Sequence, residues 1–272
     1  MGLHQKLGMS SHISMRKIEI RNALGRLRIS PGETVLVHSS MKALGPVEGG
    51  AKVVVRQFLD FLGPEGTLVV PTFLEDFFWG DENQIWDRER SPSAMGIFSE
   101  MVRIWPGALR TAHAPHPLSA IGPNARKLAA CTNNRDFDED SPFQLLVDLD
   151  SWIVLLGVDF NVCTMLHLIE ERLQVPYRNW GNLKGVVIDG DKRERKVYEF
   201  YRRESGVEND FLSCGQDMDT EGLVREARLG KGMVKAIRAK HLLAFVSYRV
   251  AKDPYYLLTP ASRRKPPPPK SL

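Results

Sequence analysis

The chain has 272 residues, 43% hydrophobic and 26% charged, a globular composition that excludes collagen-like, mucin-like and coiled-coil proteins. Its net charge of +4 is matched by four cations near the C-terminus, Arg263, Arg264, Lys265 and Lys270, so the remainder is close to neutral and nucleic-acid binding is not expected. The longest apolar run, Trp152 to Val158, is far short of the roughly 20 residues of a membrane span, and the N-terminal MGLHQKLGMSSHISMRK lacks the apolar stretch of a secretory signal; a cytoplasmic location without membrane partners is expected.

In chain order, residues 1–14 read as a flexible segment and 15–28 as a helix carrying Ile18, Ile20, Leu24 and Leu27, stopped by Ser30-Pro31-Gly32. Thr34 to His38 is a β-branched, buried-type strand. Residues 50–62 form an amphipathic helix, ended by Gly63-Pro64-Glu65-Gly66 before the strand Thr67 to Pro71, which completes a βαβ unit. Phe73 to Ser91 is loop-like and acidic, with Glu75, Asp76, Asp81, Glu82, Asp87 and Glu89 against Arg88 and Arg90, and with Phe77, Phe78, Trp79 and Trp86 interleaved. Helices follow at 95–105 and 164–173, a buried strand at 152–158, and short strands at 186–188 and 197–201 around the turn Asp189-Gly190-Asp191. This mixture predicts one α/β domain over 15–258, a three-layer α/β/α sandwich with a mixed central sheet, and residues 259–272 form a disordered Pro/basic tail. The three cysteines, Cys131, Cys163 and Cys214, show no disulfide or zinc spacing.

Three segments can carry chemistry. Ser39-Ser40-Met41-Lys42 through Gly45, leading to Gly49-Gly50 at a helix start, combines small residues after a strand with a helix N-terminus; this suits a phosphate or pyrophosphate, and equally a plain structural turn. His167 and Glu170 lie three apart on a helix, so the carboxylate can hold the imidazole in one tautomer for general-base work; the alternative is a packed histidine beside a wet face of Glu170, Glu171 and Arg172. The loop Arg110 to Gly122, with His113 and His116 between prolines, lines a pocket rather than holding a metal, since no third ligand is evident and no metal is expected. Cys163, four residues from His167, offers a rival thiolate nucleophile.

Together these segments resemble the aminoglycoside 3-N-acetyltransferase family of antibiotic N-acetyltransferases from about Ile18 to Val250. The resemblance rests on TVLVHSS (34–40), GTLVVPTF (66–73), SAMG (93–96), WPGALRTAHA (105–114), AIGPNA (120–125), SPF (141–143), LLGV (155–158) and TMLHLIE (164–170), in that order. It implies the antibiotic N-acetyltransferase fold and acetyl transfer from acetyl-coenzyme A to a primary amine of a small molecule, as on the 3-amino group of an aminoglycoside. It implies that Ser39, Ser40, Met41, Lys42, Gly45, Thr72, Arg110, His113, His116 and Leu118 bind the cofactor, and that His167 and Glu170 are the catalytic pair. Glu75 and Asp76 are expected at the substrate cleft, whose acidity suits a cationic acceptor as well as it suits a solvated loop. Ala114 and Pro117 stand where the family usually has Pro and Ser. A biosynthetic N-acyltransferase on another amine and a non-catalytic coenzyme A-binding relative stay open, as does a homodimer.

Overall fold

Alternation of apolar residues along the strands sets the layering. The computed structural model describes residues 17–74 and 83–264. Strand β1 (Thr34–Ser39) lies between β2 (Thr67–Pro71) and β6 (Trp152–Leu156), parallel to both. The antiparallel strands β5 (Leu118–Ile121) and β4 (Leu109–Arg110) continue beyond β2, and β10 (Gly232–Arg238) and β9 (Arg225–Leu229) beyond β6, giving the order β4-β5-β2-β1-β6-β10-β9.

Val35, Val37, Leu68, Val70, Trp152, Val154 and Leu156 belong to one apolar layer, shared with helices α1 (Lys17–Arg26), α3 (Gly50–Leu62) and α4 (Ile97–Arg103). Their strand neighbours Leu36, Val69, Ile153 and Leu155 belong to the opposite layer. It is shared with α5 (Ala125–Ala129), α6 (Pro142–Asp148), α7 (Met165–Arg172), α8 (Phe211–Thr220) and α9 (Ala239–Lys252). The central strands are covered on both faces, which is why they read as continuous apolar runs. Each fully buried side chain such as Phe58, with 0% exposure, contributes about 2 kcal/mol. The expected three-layer α/β/α sandwich with a mixed sheet is the observed fold.

A second sheet joins β3 (Ile85–Asp87) to the hairpin of β7 (Arg178–Asp189) and β8 (Lys192–Arg203). These hairpin strands are much longer than the sequence suggests. They pair residue for residue from Arg178 opposite Arg203 to Asp189 opposite Lys192, closed by a two-residue loop in which Gly190 has φ 59°. Most of their residues beyond 186–188 and 197–201 are polar and exposed, so backbone pairing rather than burial keeps them extended.

The tail expected from residue 259 is a correction: Pro260–Arg264 form a short helix, α10. Ser262 Oγ accepts from the Glu208 amide at 2.9 Å, and the Arg263 guanidinium donates to the Leu258 carbonyl at 3.0 Å and to Asp253 at 3.1 Å. Residues 265–272 and the segment 1–14 lie outside the described residues.

The C-terminal ends of β1, β2 and β6 meet at one sheet edge, where β5 and β10 begin. In an open α/β sheet that edge is where ligands bind. Opposite it, Gly122 at the end of β5 has φ 125°, and a Cβ there would lie 2.2 Å from the Gly66 carbonyl oxygen and 2.8 Å from Thr67 Cα. Gly122→Ala is therefore expected to lose about 3 kcal/mol of stability in urea denaturation; an unchanged midpoint would contradict this packing.

Candidate active site

At the end of β6 the chain turns through Gly157, φ 70°, where an added Cβ would lie 2.9 Å from the Ser40 carbonyl oxygen. The loop after β1 is thus seated directly on the turn after β6. Ser40 caps the one-turn helix α2 (Met41–Leu44) through the Ala43 amide, and its own amide donates to the Leu156 carbonyl at 2.8 Å. A Cβ on Gly232, at the start of β10, would lie 3.1 Å from the Ala43 carbonyl oxygen, so glycines after β6 and at the start of β10 form a cradle for this loop. Ser39, Ser40, Met41 and Gly45 are half-buried in it and Lys42 is exposed.

Beyond Gly157, Asp159 caps a short turn at Phe160–Val162 and α7 begins. Met165, Leu166, Leu168 and Ile169 of α7 pack into the core, which leaves His167, Glu170 and Glu171 to face the polar interior above it. The Glu170 carboxylate is completely buried, while the His167 side chain is 31% exposed. Glu170 Oε2 lies 2.6 Å from His167 Nδ1 and 2.7 Å from Arg178 Nη2. Glu170 Oε1 accepts from the Tyr177 hydroxyl at 2.8 Å and from Asn209 Nδ2 at 2.6 Å.

Burial alone would raise the Glu170 carboxyl, but Arg178, His167 and Tyr177 outweigh it and hold the group down at about 2. For His167, burial and then the Arg178 charge lower the imidazole below its usual range, against the opposing pull of Glu170. Arg178 Nη2 also lies 2.9 Å from Nδ1; the tautomer that places Nδ1–H on the ionised, closer Glu170 oxygen is the one that leaves Nε2 its lone pair. Burial pushes the Tyr177 hydroxyl far up, so it remains a donor to Glu170.

His167 opens onto a cavity of about 180 Å³ lined also by His116, Asp136, Phe137, Glu171, Arg178, Phe200 and Tyr201. His116 Nδ1 lies 2.7 Å from Asp136 Oδ1, and the ring packs edge-on against Phe73 and stacks over Phe200. Asp136 is 1% exposed; burial raises its carboxyl, yet His116 and His113 bring it below the usual range. The two expected histidines, 116 and 167, therefore share one cavity, each on a buried carboxylate.

Four of the residues expected to bind the cofactor have buried side chains. Thr72 and Leu118 are 0% exposed. Thr72 Oγ1 donates to the Pro117 carbonyl and accepts from Arg110 Nε, both at 3.1 Å. Arg110 donates further to the carbonyls of Thr72 and Ser91, lies over the Trp86 ring, and is lowered to about 9 by burial. His113 is 2% exposed, packed on Tyr198 and brought to about 4 by burial. These side chains shape the loop that carries His116, and their surfaces are spent on protein atoms. Glu75 and Asp76 lie outside the described residues. Cys163 is 1% exposed and burial pushes its thiol up to about 12, which removes it as a thiolate nucleophile. Among the described residues no group of three or more His, Cys, Asp or Glu could hold a metal ion.

Sequence reasoning misses Asp136, Tyr177, Arg178 and Asn209. Arg178 follows α7 after Pro176, and a helix carboxylate pointing inward demands such a cation, but spacing alone does not single it out.

The fold is α/β, with a His-carboxylate pair capable of general-base work at the carboxyl edge of its sheet, and comparison with known proteins supplies the family. The profile described as aminoglycoside 3-N-acetyltransferase matches residues 36–251, and the chain belongs to this family of acyltransferases. It is 29% identical to the prophage-derived aminoglycoside N(3')-acetyltransferase-like protein YokD of Bacillus subtilis, over 83% of this chain and 89% of that one. It is 28% identical to aminoglycoside N(3)-acetyltransferase IV of Salmonella sp, over 90% and 91%. The crystal structure of aminoglycoside acetyltransferase AAC(3)-IVa superimposes with a TM-score of 0.77 at 27% identity, covering 93% of this chain and 95% of that one. A histidine-to-alanine variant of that enzyme in complex with a gentamicin matches with a TM-score of 0.77 at 26% identity, over 92% and 94%.

The depressed Glu170 carboxyl has a consequence for stability. Its ionised form stabilises the fold fully above the ordinary carboxyl value of 4.5, and that contribution is lost as pH falls toward about 2. Chemical denaturation across pH 7 to 2 should find Glu170→Gln less stable than wild type at neutral pH, with the gap narrowing on the acid side of 4.5; a constant gap would contradict the ion-pair assignment.

Proposed function

We propose that the protein transfers an acetyl group from acetyl-coenzyme A to a primary amine of a small cationic acceptor, an aminoglycoside at its 3-amino group, with His167 as general base and Glu170 as the group that orients it. The observation that carries this reading is the His167 Nδ1 to Glu170 Oε2 contact of 2.6 Å at the mouth of a cavity on the carboxyl edge of the sheet. Family membership and a relative complexed with a gentamicin support the acceptor class.

The co-substrate's thioester supplies the acetyl group. The residues that suit it are those of the loop Ser39 to Gly45, where the Gly157 and Gly232 cradle leaves no room for side chains beneath and Lys42 stands exposed at its rim. Backbone amides and a lysine at such an edge match a diphosphate. His116, facing the same cavity as His167, suits the end nearer the reaction.

An amine is protonated at neutral pH and attacks only after losing a proton. His167 Nε2 takes that proton, directly or through one water, while Nδ1–H stays on Glu170 and the carboxylate stabilises the imidazolium that forms. Tyr177, Asn209 and Arg178 keep Glu170 ionised and fixed, so the ring does not swing. As the carbon–nitrogen bond replaces carbon–sulfur, the proton held on His167 Nε2 passes to the departing sulfur, which leaves as the thiol, and the other proton lost by the ammonium goes to solvent. A cytoplasmic location, where the acyl donor is made, belongs to this reading.

His167→Ala is expected to lower kcat/KM by about 10²–10⁴-fold in a thiol-release assay with acetyl-coenzyme A and gentamicin, while acetyl-coenzyme A still binds by calorimetry. Cys163→Ala should retain activity; the reverse pattern would sink the proposal in favour of an acyl-enzyme. Because His167 must be neutral and burial lowers it below the usual imidazole value of 6.5, kcat at saturating gentamicin should fall only on the acid side of that value. A limb centred above 6.5 would assign the base elsewhere.

A further inference from the structure

The mechanism leaves one buried acid unused. Glu171 is 4% exposed, follows Glu170 directly, and sits four residues after His167, hence on the same face of α7. With Phe137 it lines both the 180 Å³ cavity at His167 and a neighbouring groove of about 350 Å³ whose other walls include Asp138, Glu139 and Asp140. The Phe137 amide donates to its carboxyl, while Oε2 is buried without a hydrogen-bond partner among the described residues. A buried carboxyl oxygen with no donor calls for a ligand that provides one.

The groups around Glu171 say which sign that ligand carries. Asp136 and Asp138 face it from the segment before α6, Arg135 from the same segment, His167 and Arg172 from its own helix, His116 from the loop before β5, and Arg178 and Tyr201 from the hairpin. The cations are engaged elsewhere: Arg178 on Glu170 and the Tyr201 carbonyl, Arg172 on Gln144, Arg135 on Glu199 at 3.7 Å and over the Trp180 ring. Burial, then Asp136, pushes the Glu171 carboxyl up to about 8, so it rests protonated at neutral pH and has a proton to give up when a cation arrives.

We propose that Glu171 binds a second ammonium group of the acceptor, so that the cavity beside His167 selects amines that carry another cation close to the reacting nitrogen. The groove of Asp138, Glu139 and Asp140 continues this track and receives the remaining cationic groups of the same molecule. This rests on the amine-acylating reading above and adds to it the residue that chooses among amines. Ionisation of Glu171 by the incoming ammonium balances as one proton released to solvent for each acceptor bound.

The experiment uses the whole chain, with gentamicin as the polycationic probe and benzylamine as the monoamine. Calorimetry at pH 7 in two buffers of different ionisation enthalpy should show wild type releasing about one more proton per bound gentamicin than Glu171→Gln. Steady-state rates should show Glu171→Gln raising KM for gentamicin about tenfold with kcat and the benzylamine KM little changed. Glu171→Leu should show the same KM split with an unchanged or higher denaturation midpoint, since it removes an unpaired buried acid. Equal proton counts, a KM change shared by both amines, or no binding of gentamicin by wild type would each overturn the proposal. If benzylamine is acetylated while the gentamicin arm fails, only the role of Glu171 falls. If neither amine is acetylated, the transferase reading falls and the proton count alone decides Glu171.

Discussion

A carboxylate with no exposed surface is the constraint around which this site is built. Taking Glu170 out of water costs several kcal/mol unless its oxygens are fully partnered, and the chain partners them from three places: His167 on its own helix, Tyr177 and Arg178 where the long hairpin begins, and Asn209 just before α8. Removing any donor leaves charge uncompensated, so the carboxylate ties α7, β7 and α8 into one geometry. The direction of the His167 ring is then a property of the fold and not of one side-chain rotamer.

The sheet topology supplies the other half. Because β1, β2 and β6 run parallel, their following loops emerge at one edge, and the antiparallel β5 and β10 enter there. Residues as far apart in sequence as Ser40, His116, Gly157 and Gly232 are brought to that edge by strand direction alone. At Gly157 a positive φ and a backbone oxygen 2.9 Å from an added Cβ call for glycine, and at Gly232 the Ala43 carbonyl and Leu44 leave a Cβ only a tight fit.

What is legible in the sequence follows the same division. Strands buried on both faces announce themselves as apolar runs, and β1, β2 and β6 lie within a residue or two of the expected spans. The pairing of His167 with Glu170 is legible because three-residue spacing on a helix fixes geometry locally. The hairpin reads short because its stability comes from backbone pairing between polar residues, which leaves little hydrophobic period. Thr72, Arg110, His113 and Leu118 are expected at the cofactor through the family resemblance alone, and their burial is not legible in the sequence because it is set by tertiary packing. Arg178 and Asn209 are invisible for the converse reason: their partner is 8 and 39 residues away and no spacing rule reaches it.

Two adjacent glutamates on α7 show how far environment outweighs residue type. Glu170 and Glu171 are consecutive, both almost wholly buried, and belong to the same turn of helix. Glu170 meets a guanidinium, an imidazole, a hydroxyl and an amide, and stays ionised to about 2. At Glu171 burial, Asp136 and Asp138 outweigh Arg135 and the Phe137 amide, and the group holds its proton up to about 8. Side chains on consecutive helix residues diverge by about 100°, enough here to place one carboxyl in a nest of donors and the other at the wall of an acidic groove. Pairs of identical groups pushed to opposite protonation states mark a division of labour: the ionised one steadies the base, and the neutral one remains available to answer a cation.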